Sequence, residues 1–256
     1  ISMTYGSADA EQVDSLPAIL EGTLPEEDAR KLYQMTVSQG DRLDIRYEKN
    51  SEDYSDEIVI FDADSYETIA SVYSGGFDRR ASETLLIEED KDIIVGVFNR
   101  YLFDEENPSH DYRLGIQKIS ATDVGSLPAE VSGTVDNEPF PAWYTASVAQ
   151  GTSYRLDLAA PDFDARLRVY DGSDMSLIKQ TSGNSLVFAS DFDGDIYIEV
   201  AELEQGGDPS YSFDLDVAEL STTDVTPGTP VQDQLADPDD STYFTVTVPE
   251  GAVSID

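Results

Sequence analysis

Gly194-Asp195-Ile196-Tyr197-Ile198-Glu199-Val200 carries an aliphatic residue at every second position, at Ile196, Ile198 and Val200. Successive side chains of a strand point to opposite faces, so this period of two reads as a strand with one face in a core. The same alternation runs outward from it. Tyr154, Leu156 and Leu158 share a face, as do Leu167 and Val169; earlier come Tyr33, Met35 and Val37, then Leu43 and Ile45, then Ile58 and Ile60. Gly, Pro, Asp and Asn punctuate these runs about every ten residues, the rhythm of a sandwich or barrel. Pro25 to Lys31, the one short helical candidate, reads as a turn between the first two strands. The expected class is all-β, with tandem jelly-roll or immunoglobulin-like β-sandwiches.

The runs repeat, and a repeat decides the organisation of a chain. Ser15-Leu16-Pro17-Ala18 returns as Ser126-Leu127-Pro128-Ala129. At the same spacing Gly22-Thr23 returns as Gly133-Thr134, Tyr33 as Tyr144, Val37 as Val148, and Gln39-Gly40 as Gln150-Gly151. Phe61-Asp62 matches Tyr170-Asp171, and Asp111-Tyr112-Arg113-Leu114 matches Ser210-Tyr211-Ser212-Phe213. The first copy is longer around Glu48 to Asp56 and Phe103 to His110, stretches that read as solvated loops. Thr122-Asp123-Val124 reappears as Thr223-Asp224-Val225, and Tyr243 to Val248 opens a third copy. Ile1, Met3 and Tyr5 alternate like a closing strand ahead of the first copy.

The expected organisation is therefore a strand and linker in 1–14, sandwiches in 15–120 and 121–220, and in 221–256 a linker with the first strands of a third sandwich. Thr122 to Ser126 and Ser221 to Gly228 read as short linkers, the second stiffened by Pro227 and Pro230. Two explanations fit the incomplete ends. The chain is an excerpt of a longer array, or Ile1 to Tyr5 completes the open third sandwich of a neighbour by donor-strand exchange. A start at Ile1 rather than Met agrees with processing or excision from a longer protein.

Charge is the compositional outlier. There are 53 Asp and Glu against 15 Lys and Arg, a formal net charge of -38 spread along the whole chain. Such self-repulsion opposes a compact state in dilute buffer. At 1 M salt the Debye length is about 3 Å, and repulsion between surface carboxylates is largely screened. A dispersed acidic coat with few lysines thus points to a halophile. The same coat excludes a nucleic-acid partner, because phosphates need a basic footprint. No apolar run approaches the length of a transmembrane helix, and no Cys is present for disulfide or thiolate chemistry.

Each copy resembles a bacterial pre-peptidase C-terminal domain. The matching elements are Gly22, Tyr33, Val37, Gly40, Ile60-Phe61-Asp62 and Tyr112 to Ile116 in the first copy. In the second they are Gly133, Tyr144, Val148, Gly151, Leu167 to Asp171, Gly194 to Val200 and Tyr211 to Val217. Two departures stand in the first copy: Lys91-Asp92 replaces the Gly before the aromatic strand, and Gly115 sits inside the closing strand. The resemblance implies a calcium-friendly jelly-roll-like sandwich appended to secreted enzymes and surface proteins.

Candidate sites are few. The only histidine, His110, lies in Asn107-Pro108-Ser109-His110-Asp111 and reads as a solvated turn residue, with no Gly-x-Ser-x-Gly elbow elsewhere to supply a nucleophile. With one His and no Cys, zinc has no ligand set. Asp191, Asp193 and Asp195 around Gly194 have the oxygen density that calcium favours, though not the spacing of an EF-hand. The competing reading is a type I′ hairpin turn at Asp193-Gly194. Trp143 precedes Tyr144 in a strand, so the two face opposite sides; Trp143 is then a sugar-stacking anchor or a plug at the junction between sandwiches.

The resulting expectation is a non-catalytic structural or adhesive protein of a halophile, placed outside the cell, on the cell surface or on a virion. Surface filaments, sheaths, surface layers and viral spikes or fibres all suit it, with self-association or other surface proteins as partners. The alternatives are a substrate-binding appendage of a secreted peptidase, which the resemblance implies, and a calcium- or glycan-binding adhesion module.

Overall fold

The computed structural model describes residues 10–24, 30–50, 55–74, 79–100, 109–135, 140–202, 210–226 and 243–246. Within them every regular element is a strand, as the period of two requires. The first nine are β1 (Glu11–Gln12), β2 (Ala18–Leu24), β3 (Arg30–Val37), β4 (Arg42–Lys49), β5 (Ser55–Asp62), β6 (Thr68–Ser74), β7 (Arg80–Leu86), β8 (Lys91–Arg100) and β9 (His110–Lys118). They form a five-stranded sheet in the order β1-β3-β8-β5-β6 and a four-stranded sheet in the order β2-β9-β4-β7. Between the sheets lies a core of Tyr33, Met35, Leu43, Ile45, Ile58, Ile60, Val95 and Leu114 with their neighbours.

The next nine strands repeat the pattern: β10 (Thr122–Asp123), β11 (Ala129–Val135), β12 (Ala142–Val148), β13 (Ser153–Ala159), β14 (Ala165–Asp171), β15 (Leu177–Thr181), β16 (Ser185–Ala189), β17 (Gly194–Glu202) and β18 (Tyr211–Glu219). Their sheets run β10-β12-β17-β14-β15 and β11-β18-β13-β16, the same order as in the first sandwich. The core holds Tyr144, Leu156, Leu167, Ile196, Ile198, Val200 and Leu215. Last come β19 (Thr222–Val225) and β20 (Tyr243–Val246), a parallel pair.

That parallel pair is the signature of the repeat. Glu11 opposes Tyr33, Thr122 opposes Tyr144, and Thr223 opposes Phe244, so the same bridge opens all three copies. Thr122-Asp123, read as linker from sequence, is therefore a strand of the second sandwich. The repeat also slips by two residues against the sequence match at its closing strand. Gly22 faces Tyr112 and Gly133 faces Phe213, not Tyr211. A slip of two keeps every side chain on its own face, which is why alternation alone did not detect it.

Both glycines make room for those rings. A Cβ on Gly22 would lie 2.7 Å from the Tyr112 hydroxyl, and one on Gly133 would lie 2.6 Å from the Phe213 ring. The paired motifs Phe61-Asp62 and Tyr170-Asp171 likewise end their strands in the same way. Each follows a register shift, and each Asp accepts backbone hydrogens two residues on, Asp64 to Asp62 and Ser173 to Asp171. The turn then closes on a left-handed Tyr66 or Met175, at φ 58° and 63°. Ile1 to Tyr5, most of Pro25 to Lys31, Pro227, Pro230 and the rest of the third copy lie outside the described residues.

Candidate functional site

The largest buried cluster of charge among the described residues lies where the two sandwiches meet. It joins the outer face of the first sandwich's four-stranded sheet to the outer face of the second's five-stranded sheet. From β4 come Asp44 and Arg46, from β14 Arg166, Arg168 and Tyr170, and from β17 Glu199. Alternation points all of these away from their own cores, and the facing sandwich covers them instead. Asp44 and Glu199 are fully buried, and Arg46 is nearly so.

Glu199 is the hub. Its carboxylate pairs with Arg46 at 3.1 Å, Arg166 at 3.3 Å and Arg168 at 3.6 Å, and accepts a hydrogen bond from the Tyr170 hydroxyl at 2.8 Å. Burial alone would raise its pKa, but Arg46, Arg168 and Arg166 outweigh that and hold it down at about 2. Asp44 accepts from the Arg46 Nε at 2.5 Å and from Gln117 at 2.9 Å. Burial pushes Asp44 upward, with Glu199 adding to the rise and Arg46 opposing it. Burial opposes the charge on Arg46, yet Asp44 and Glu199 prevail and raise its pKa. Both carboxylates are thus matched by guanidinium groups, the condition under which buried charge persists.

Contacts around the cluster extend the joint. Arg168 donates to the Ser82 hydroxyl at 2.8 Å. Arg42 donates to the Gly172 carbonyl at 2.6 Å and lies over the Tyr197 ring, 4.8 Å from its centre. Trp143, Tyr170 and Met175 form an apolar patch, with Leu86, Ile119 and Ala121 packed against it from the first sandwich and the connection. Tyr144 points into the second core, so the two aromatic neighbours do face opposite sides, and Trp143 is the plug at the junction.

The other sequence candidates lie elsewhere. Asp191, Asp193 and Asp195 sit at the exposed hairpin between β16 and β17. Asp193 accepts from the Gln150 backbone NH at 2.8 Å, Asp195 from the Ser147 hydroxyl at 2.7 Å, and the Asp191 carbonyl from the Gln150 side chain at 2.7 Å. The first sandwich has the same clamp, with Asp90 on the Gln39 NH at 2.8 Å and Asp92 on the Thr36 hydroxyl at 2.6 Å. Asp193 is not among the residues with positive φ, so the link is not a type I′ turn; four residues, 190–193, span it instead. Among the described residues, no group of three or more His, Cys, Asp or Glu is gathered to hold a metal ion.

His110 corrects a second expectation. It is the first residue of β9, 3% exposed, and its Nε2 lies 2.9 Å from Asp56 Oδ2. The Tyr47 hydroxyl donates to the same oxygen at 2.5 Å. Glu48 and Lys49 belong to β4, and Ser55 and Asp56 to β5, so the ends of that supposed loop are strand, with Asp56 fully buried. Residues 51–54 and 101–108 lie outside the described set.

No protein-family model matches the chain, and no curated protein does. Among solved structures it is similar to the pre-peptidase C-terminal domain of collagenase from Bacillus anthracis, at 17% identity over 42% of this chain and 94% of that one, TM-score 0.33. It is similar to Aeromonas hydrophila PliG, a periplasmic inhibitor of g-type lysozyme, at 16% identity over 39% of this chain and 97% of that one, TM-score 0.34. A triple jelly-roll protein of the turret assembly of an archaeal virus matches at 12% identity over 77% of this chain and 58% of that one, TM-score 0.20. At these overlaps the likenesses carry no functional argument. The class of protein rests on the strands themselves: an all-β chain of sandwiches.

Proposed function

We infer that this chain is a non-catalytic, extracellular structural or adhesive protein, built of tandem β-sandwiches held as a stiff rod and adapted to concentrated salt. The junction is the observation that carries this reading. A flexible tether between binding modules needs no buried contact between them, whereas a spacer of fixed geometry does, and here that contact is the ion cluster with the Trp143 patch. Four of the fifteen basic residues, Arg42, Arg46, Arg166 and Arg168, are placed there in a chain otherwise short of cations. Buried pairs are screened far less than surface ones, so the joint keeps its strength at high ionic strength. The elements shared with the pre-peptidase C-terminal pattern, Gly22 and Gly133 beneath aromatic rings and the turns at Asp62 and Asp171, support the finer resemblance. Surface filaments, sheaths, surface layers and viral spikes all use such spacing.

Electron microscopy of the native protein in concentrated salt tests the proposal. Straight particles with a constant angle between successive sandwiches are expected. Freely jointed beads would overturn it, and a peptidase motif in the same reading frame would move the function to an appendage of that enzyme.

A further inference from the structure

Arg42 is the one guanidinium of the junction that no carboxylate meets among the described residues. Arg46, Arg166 and Arg168 share Glu199, and Asp41, next to Arg42 in sequence, is held by Lys118 at 2.6 Å and by the Ser38 NH at 2.8 Å. Around Arg42 stand the Gly172 and Gly40 carbonyls, at 2.6 and 3.5 Å, and the face of the Tyr197 ring. These groups orient the cation without neutralising it. Its Nε is buried and has no acceptor.

A second donor stands in the same patch. Trp143 is 5% exposed, and its indole N–H is buried with no acceptor. The two residues share their neighbours. Trp143 packs with Tyr197, Leu86 and Ile119. Arg42 lies over Tyr197, pairs with Leu86 across the β4–β7 ladder, and accepts at its carbonyl from the Ile119 NH. An N–H buried without an acceptor has given up its water and gained no bond in exchange, so such groups are rare in folded proteins. The count of charges leans the same way. Among the described residues the junction sets Arg42, Arg46, Arg166 and Arg168 against Asp44 and Glu199. Glu83 approaches Arg168 from β7 and still leaves the cations in the majority. In a chain of net charge -38, a buried place with more cations than carboxylates is the exception.

We propose that Arg42 Nε and Trp143 Nε1 hold a small monovalent anion, chloride, in the joint between the two sandwiches. The charge of Arg42 decides for an anion over a water molecule. Water accepts from an N–H but leaves the guanidinium uncompensated, and Asp44 and Glu199 are already engaged. The packing of Leu86, Ile119 and Tyr197 around Trp143 keeps the ligand small. The choice of chloride rests on the salt-adapted reading above; the anion site itself rests on the joint alone. Its consequence is a coupling of salt to structure. An anion held here touches a strand of each sandwich, β4 and β12, and stabilises only the docked arrangement by mass action. The joint therefore closes in the medium where the acidic surface is screened and loosens where it is not.

Trp143 is the only tryptophan, so its emission reports on the site. The protein is titrated with sodium chloride replacing sodium gluconate, at constant sodium and constant ionic strength. A saturating change in emission is expected. Above saturation the unfolding constant should fall about tenfold for each tenfold rise in chloride. A general salt effect does not saturate and survives substitution. Arg42→Gln should abolish the change in emission, and Trp143→Phe, which keeps a ring and deletes the N–H, should flatten the chloride dependence of unfolding. In crystals grown in sodium bromide, anomalous scattering should place a bromide between Arg42 and Trp143. No saturable response, a response that both variants retain, or a water where bromide is expected would each overturn the proposal. Straight rods in the microscope without a chloride response would keep the rod and remove only the anion, whereas freely jointed beads would remove the rod and the joint together.

Discussion

On the outer face of the second sandwich's five-stranded sheet, Trp143 and Arg168 flank Glu199 across the strands. At the same register in the first sandwich, Leu32 and Val59 flank Gly96. One backbone plan thus supports an ionic face and an apolar one. On the apolar face the Phe98 ring lies over Gly96, where a Cβ would collide with it, and meets Phe61 edge-on at 6.1 Å. The ionic face is completed from outside, by Arg46. The plan of the sheet leaves the outer face free to vary, and what stands there differs between the two copies.

Substitutions that exchange or empty these positions test the contrast. Glu199→Ala leaves three guanidinium groups without their common counter-charge and is expected to cost about 3–5 kcal/mol, read from denaturant unfolding in concentrated salt. A loss near zero would reduce the junction to a surface contact. Acid acts on the same residue. Glu199 falls from an ordinary 4.5 to about 2 in the folded chain, so its stabilisation is complete above 4.5 and disappears as pH drops toward 2. Asp44 runs the other way and returns part of that loss as it takes up a proton. Glu199→Gln should flatten the melting curve's dependence on pH across this window; an unchanged slope would place the acid sensitivity elsewhere.

On the apolar face, Gly96→Ala forces a methyl into the Phe98 ring, with an expected cost of about 1–3 kcal/mol. If thermal unfolding shows no change, the ring does not pack as described. Smallest are the paired clamps. Asp90→Ala and Asp193→Ala each remove one exposed hydrogen bond to a turn, worth about 0.5–1.5 kcal/mol. Both should cost the same with or without calcium; a calcium-dependent loss confined to Asp193→Ala would separate the two hairpins and assign a cation to the second.

Much of the fold was legible because both cores are written in alternation. Ile196, Ile198 and Val200 read as inward, and they are. The site was harder to see, because alternation marks Glu199 and Arg168 as pointing away from the core without saying what lies beyond. Solvent and a second sandwich look alike from one strand. A usable signal did exist in Arg166 and Arg168 flanking one strand position of a chain with so few cations. His110 failed for a different reason. Its neighbours Asn107, Pro108 and Ser109 suggest a turn, but its partners Asp56 and Tyr47 come from strands far away in sequence.

The connection between the sandwiches has a mechanical consequence. Only residues 119–121 separate β9 from β10. Ile119 donates its backbone NH to the Arg42 carbonyl at 2.7 Å, and both Ile119 and Ala121 pack beneath the Trp143 patch. Such a connection has no slack to stretch. Tension along the chain passes through the face-to-face contact as shear, and an added residue here would dislocate the joint, where one in a surface loop would be absorbed.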